Sequence, residues 1–190
     1  MNFNIPNLLT MLRLGVIPLF IIALLNDEPG KALALFVFAG ITDLLDGLAA
    51  RVFDQTSALG AYLDPIADKL LLTSAFIMLS IPGQNSTSVV IPIWVTVLVL
   101  ARDILILVIA LVLWMALGLT KFTPTLISKV NTFMQVAGVI LVMLSGIYES
   151  VDVAATWVIY LVAALTLTSG CDYLYRANRM ATKTEPDATT

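Results

Sequence analysis

The stretch TDLLDGLAARVFDQTSALGAYLDPIADKL, residues 42–70, decides how this chain is read. It places Asp43, Asp46, Asp64 and Asp68 in a chain that is otherwise apolar: of 190 residues, 59% are hydrophobic and 12% charged, with a mean hydropathy of +0.98. An ordinary soluble domain is about 25% charged, so the long apolar runs predict an integral membrane protein. Four carboxylates then stand where lipid-facing residues are expected. Even the gentler insertion scales put one Asp at a helix centre at about 2.5–3.5 kcal/mol. The chain has no His and one Cys, Cys171. That excludes imidazole chemistry, an intrachain disulfide and a Cys-based metal cluster, and leaves carboxylates as the main candidates for acid–base or metal chemistry.

Cutting the chain at turn and charge signals predicts an all-α, polytopic membrane protein of six transmembrane helices, near 7–25, 31–53, 57–79, 89–117, 124–147 and 153–176. Each has the length of about 20 residues needed to cross the hydrocarbon core. Residues 1–6 read as a short amphipathic lead-in rather than a cleaved signal, because Arg13 falls where an apolar core should be unbroken. Residues 1–180 form one membrane domain, followed by a polar tail at 181–190 expected to be disordered. If the helices alternate, Arg51, Lys121, Lys129, Arg176, Arg179 and Lys183 fall on one side. Both termini and the turns that follow the second and fourth helices are therefore expected on the cytoplasmic side. No nucleic-acid partner is expected.

Asp43, Asp46, Gly47, Ala50 and Arg51 are spaced as one stripe of a helix, and Gly60, Asp64 and Asp68 as another. The short turn between them makes the two helices adjacent and antiparallel. Asp43 then lies roughly 12 Å above Arg51 along the axis, and the four carboxylates converge at one level in the cytoplasmic half of the membrane. Protonation, water or a divalent cation would relieve their repulsion, and an all-oxygen site suits Mg²⁺, Mn²⁺ or Ca²⁺. Spacing alone leaves three readings open: metal-dependent catalysis, the ion or proton pathway of a small transporter, and a polar lining in which the acids pair with Arg51 and Lys69.

The pattern Asp43-x-x-Asp46-Gly47-x-x-Ala50-Arg51, then eight residues, then Gly60-x-x-x-Asp64-x-x-x-Asp68 resembles the full signature of the CDP-alcohol phosphatidyltransferase family. Further along, NIPNLLTMLR at the start, ARD on the fourth helix and PTLISKVNT entering the fifth resemble the branch that holds phosphatidylglycerophosphate synthases and eukaryotic-type cardiolipin synthases. The resemblance implies that a hydroxyl of an acceptor alcohol attacks the diacylglycerol-linked phosphate of CDP-diacylglycerol and that CMP leaves. It implies two divalent cations, Mg²⁺ or Mn²⁺, on Asp43, Asp46, Asp64 and Asp68, with Asp68 also the general base. It places Asn7, Thr10, Asp46, Gly47, Arg51, Ser57 and Gly60 around CDP-diacylglycerol. Asn7, Thr10 and Arg13 of the first helix are placed to touch the headgroup phosphates; equally, Asn7 and Thr10 read as helix-start caps and Arg13 as a snorkelling side chain.

For the acceptor, the basic residues left are Arg102, Lys121 and Lys129. The run ILILVIALVLW after Arg102 is uncharged. That scarcity favours phosphatidylglycerol, a lipid with one diester charge, over the dianion glycerol 3-phosphate, and so a cardiolipin synthase over a phosphatidylglycerophosphate synthase. Membrane lipids surround the chain on this reading. A homodimer is an expectation from the family alone.

Overall fold

The computed structural model describes the backbone of residues 5–53, 58–83, 87–117 and 125–183. Among them there is no strand. Six α-helices and one 3₁₀ turn follow in order: α1 Ile5–Leu25, α2 Pro29–Phe53, α3 Ala58–Leu79, α4 Ile93–Leu117, α5 Leu126–Ser145, the turn Glu149–Val151, and α6 Asp152–Lys183. Five of the six starts fall within two residues of the sequence expectation. The exception is α4, which begins after Pro92 rather than at 89. A residue that precedes proline is pushed out of the helical region, and here the Pro92 carbonyl instead accepts from the Val95 and Thr96 amides. At the other end, α6 runs to Lys183, so residues 181–183, assigned from sequence to the tail, continue the helix. Residues 184–190 lie outside the described residues.

The chain divides into two compact units. The first holds residues 1–91 with 139–156, and its core is built on α1. Thr10, Arg13, Val16, Phe20 and Leu24 recur at helical spacing and all are buried. Against this stripe α2 presents Ala32, Phe36 and Ala39, with the Phe20 and Phe36 rings 5.8 Å apart. From α3 come Ala67, Leu71, Leu72, Ala75, Phe76 and Leu79. The segment after α3 is pinned by main-chain and hydroxyl bonds. The Ile91 amide donates to the Leu79 carbonyl at 3.0 Å, the Val89 amide to Ser145 Oγ at 3.2 Å, and the Ser88 hydroxyl to the Ser145 carbonyl at 3.0 Å.

The turn from α1 to α2 is a Schellman cap. The Glu28 amide donates to Ala23 O at 3.0 Å and the Asp27 amide to Leu24 O at 3.1 Å, which satisfies the last carbonyls of α1. This cap requires a left-handed residue, and Asp27 fills it at φ 55°, where glycine is the usual occupant. Pro29 then opens α2 at the position where its missing amide costs nothing.

The second unit holds residues 92–138 and 157–190. Thr125 caps α5, its hydroxyl accepting from the Ser128 amide at 3.1 Å. Gly138 sits against Val158 and Val162, where an added Cβ would meet each at 3.6 Å. Polar side chains turn inward: Thr96, Arg102, Ser128, Asn131, Gln135, Thr166 and Ser169 are buried, while Ile104, Leu107, Leu111 and Met115 of α4 are exposed. This is the reverse of a water-soluble helix. Among the described residues, 126–145 and 149–177 are long and apolar enough to cross a membrane.

The Asp27 conformation gives a stability test. An L-residue in the left-handed region carries roughly 1–2 kcal/mol of strain, less for Asp, whose short side chain hydrogen-bonds locally. Asp27→Gly is expected to raise the thermal midpoint in detergent and Asp27→Val to lower it, followed by helical circular dichroism. The opposite order would contradict the cap.

Candidate active site

The site is built from α1, α2 and α3 of the first unit. Asp43 on α2 and Asp68 on α3, one from each half of the acidic motif, are brought together on a single side chain of α1. Arg13 Nη2 lies 3.1 Å from Asp43 Oδ1, and Arg13 Nη1 lies 2.6 Å from Asp68 Oδ1. The guanidinium is fully buried, whereas the two carboxylates keep 41% and 46% of their side-chain surface exposed. The fork therefore reaches the acids from the interior, and their other sides face out of the packed core. Because the carboxylates are part-exposed, solvent screens the attraction on that side, and the triad's worth lies more in geometry than in stability.

Arg13 is the residue whose placement differs most from expectation. Read from sequence as a contact to headgroup phosphates or as a snorkelling cation, it lies on the buried stripe of α1, between Thr10 and Val16, both also buried. The signal was present in the spacing: Thr10, Arg13, Phe20 and Leu24 share one helical face.

The other motif residues are placed by their helices. Asp46, Gly47 and Arg51 lie on α2 after Asp43, Gly60 and Asp64 on α3 before Asp68, and Asn7 on the first turn of α1. Their side chains are outside the described residues, as are Ser57 and Lys121 altogether. Among the described residues no group of three acidic, Cys or His side chains is assembled.

Of the residues expected to hold the acceptor, Arg102 and Lys129 belong to the second unit. Lys129 is exposed on α5. Arg102 is buried and engaged within its own unit. Its Nη1 donates to Asp103 Oδ1 at 2.8 Å, its Nη2 to Ser128 Oγ at 2.6 Å and Ser169 Oγ at 2.7 Å, and its Nε to Ser169 Oγ at 3.2 Å. The Tyr173 ring centroid lies 5.8 Å from its Cζ. One turn on from Ser128, Asn131 Oδ1 accepts from the Thr166 hydroxyl at 3.1 Å. The Gln135 carboxamide is fully buried with no hydrogen-bond partner among the described residues. These neutral groups on α5 were not singled out from sequence, because Asn and Gln inside a polar-looking helix start carry no distinctive spacing.

Comparison with known proteins defines the class. The family model for CDP-alcohol phosphatidyltransferase matches residues 3–168. The chain belongs to the CDP-alcohol phosphatidyltransferase family and is an enzyme of phospholipid biosynthesis. Its relatives divide between two activities. It is 38% identical over 184 residues to a probable phosphatidylglycerophosphate synthase of Mycobacterium tuberculosis, covering 93% of this chain and 82% of the relative. It is 35% identical over 183 residues to a CDP-diacylglycerol–glycerol-3-phosphate 3-phosphatidyltransferase of Haemophilus influenzae, covering 92% and 93%. It is also 32% identical over 195 residues to a CMP-forming cardiolipin synthase of Rattus norvegicus, covering 93% of this chain and 62% of the relative.

The family generally depends on divalent metal ions, and the donor set fits one. Two carboxylates from facing helices already lie side by side around one positive group, with their exposed sides away from it. A carboxylate that accepts one guanidinium hydrogen keeps further lone pairs for a cation. With no His in the chain, a hard, oxygen-seeking ion is the match.

Asp43→Asn and Asp68→Asn keep the side-chain shape and remove the charge. Each is expected to lower turnover by about 10²-fold or more with helical content intact. Asp172→Asn is the control, since among the described residues Asp172 pairs along its own helix with Arg176. Equal losses in all three would separate the acidic pair from catalysis.

Proposed function

We propose that this chain is a six-span cardiolipin synthase that transfers the phosphatidyl group of CDP-diacylglycerol to phosphatidylglycerol and releases CMP. The alternative acceptor is glycerol 3-phosphate. The observation that carries the reading is the engagement of Arg102. Its guanidinium is already held by Asp103, Ser128 and Ser169, so it has little to offer a second anion. A dianion such as glycerol 3-phosphate would rely on Lys121 and Lys129. A diester with one charge needs fewer cations. The neutral groups of α5, Asn131 and Gln135, suit the hydroxyls of a glycerol headgroup better than a phosphate. A small ion or proton transporter built on the same acids is disfavoured by the family match.

All six helices have 20 residues or more, a length of about 30 Å at least, matching the hydrocarbon thickness. We place both termini and the active site on the cytoplasmic side, where the basic residues gather.

In this reading Asp43, Asp46, Asp64 and Asp68 hold two divalent cations, Mg²⁺ or Mn²⁺. When bound, these ions neutralise charge on the diphosphate and on the leaving CMP. Asp68 takes the proton from the attacking hydroxyl. Arg51 presents its planar fork to the diphosphate. Gly47 and Gly60 let backbone approach the nucleotide, and Asn7, Thr10 and Ser57 border it. Lys129 and Lys121 orient the acceptor headgroup, and Arg102 joins α4 to α5 and α6 within the second unit.

The metal requirement is tested by chelation: EDTA is expected to abolish turnover and Mn²⁺ or Mg²⁺ to restore it, and full turnover in chelator would refute the metal site. The acceptor is tested by competition. Purified protein given CDP-diacylglycerol with phosphatidylglycerol and glycerol 3-phosphate together is expected to yield cardiolipin, resolved by mass. Lys129→Ala is expected to weaken use of the acceptor more than use of CDP-diacylglycerol. Phosphatidylglycerophosphate as the dominant product would overturn the acceptor and leave the reaction class standing.

A further inference from the structure

We propose that Arg13 is the positioning residue of the metal centre: a buried guanidinium on α1 that fixes the distance between Asp43 and Asp68 before any cation arrives. The inference rests on the two-cation reading above. Three observations carry it. Arg13 is fully buried in a helix of otherwise apolar character, a position that costs at least about 2.5 kcal/mol for a charged side chain in a membrane. Its two terminal nitrogens go to acids from different helices, so one rigid fork sets α2 against α3 at the level of the motif. A lysine ammonium, a point charge on a flexible stem, cannot impose that spacing. The fork also approaches from the core while both carboxylates stay part-exposed, so it holds the acids without occupying the side from which an ion would enter.

The charge count agrees with this placement. Four Asp side chains carry −4, and two divalent cations return +4. Arg13 then leaves the loaded centre at +1, the sign a diphosphate donor requires. Without Arg13 the four acids and two ions sum to zero, leaving Arg51 alone to supply positive charge, and the empty centre is more strongly self-repelling. Partners that hold metal-binding carboxylates from behind typically account for about 10–100-fold in metal affinity.

The test is Mn²⁺ binding to the purified full chain in nanodiscs, without substrate, read by electron paramagnetic resonance. Turnover against Mn²⁺ concentration is measured in parallel. Wild type is expected to bind Mn²⁺, and Asp43→Asn to lose it. Arg13→Lys, which keeps the charge and should fold, is expected to bind about 10-fold more weakly, and Arg13→Met about 100-fold more weakly. Added Mn²⁺ is expected to restore most of the Arg13→Lys turnover. If Arg13→Met does not fold, the lysine variant alone decides. A purely structural Arg13 would lower activity equally at every Mn²⁺ concentration and leave the half-saturation point in place, which overturns the proposal. Unchanged or tighter Mn²⁺ binding by Arg13→Lys overturns it too, while wild-type binding preserves the metal reading. Failure of wild type itself to bind Mn²⁺ overturns both.

Discussion

Among the described residues, one buried cation organises the first unit. Arg13 is the point at which α1, α2 and α3 share a polar contact, and the apolar packing that flanks it runs along the same stripe. Val16, Phe20 and Leu24 continue that stripe against Phe36 of α2 and the buried face of α3. Apolar contacts alone set helices together with tolerance for sliding and rotation. A guanidinium fork between two carboxylates does not tolerate either, since its hydrogen bonds weaken steeply with angle and distance. The acids are therefore held at a fixed level by the element that contributes none of them.

The second unit repeats the logic with different chemistry. Arg102 is again a buried cation that joins helices, but its partners are hydroxyls and the adjacent Asp103 rather than the paired acids of a motif. Its charge is neutralised locally and its reach is spent on Ser128 and Ser169. Two buried arginines thus do different work. One leaves its acids part-exposed and available for ligands. The other is closed over by its own neighbours and by the Tyr173 ring.

Much of this was legible in the sequence. Helix limits followed from breakers: the turn at 26–29 and Pro82-Gly83 after α3, where Gly83 adopts φ 75°. The start of α4 was misplaced because apolar content was weighed above Pro92, whose effect on its predecessor is local and decisive. The acidic motif was legible because spacing alone put Asp43 and Asp68 on facing stripes. The partners of Arg13 were not: its spacing with Thr10, Phe20 and Leu24 marks one helical face, but nothing in the spacing says that this face is the inner one or that Asp43 and Asp68 meet there. The burial of Arg102 could not be read at all. Its serine partners lie 26 and 67 residues away, and no periodicity within α4 announces them.

The Arg13 contact also bears on how such a chain is made. The arginine lies 55 residues ahead of Asp68. At typical synthesis rates of about 5–20 residues per second, its second partner follows by roughly 3–11 s. Until Asp43 emerges α1 would carry its charge with neither acid to meet it, and in a bilayer the sum of its leucines and isoleucines would have to outweigh that charge. On the six-span reading a nascent α1 would stay near the headgroups, with its guanidinium wet, until α2 and α3 arrive to draw it inward. Closure of the acidic pair and burial of the α1 arginine are then coupled, so a chain truncated before Asp68 lacks more than one acid: it lacks one of the two partners that hold Arg13 in the core.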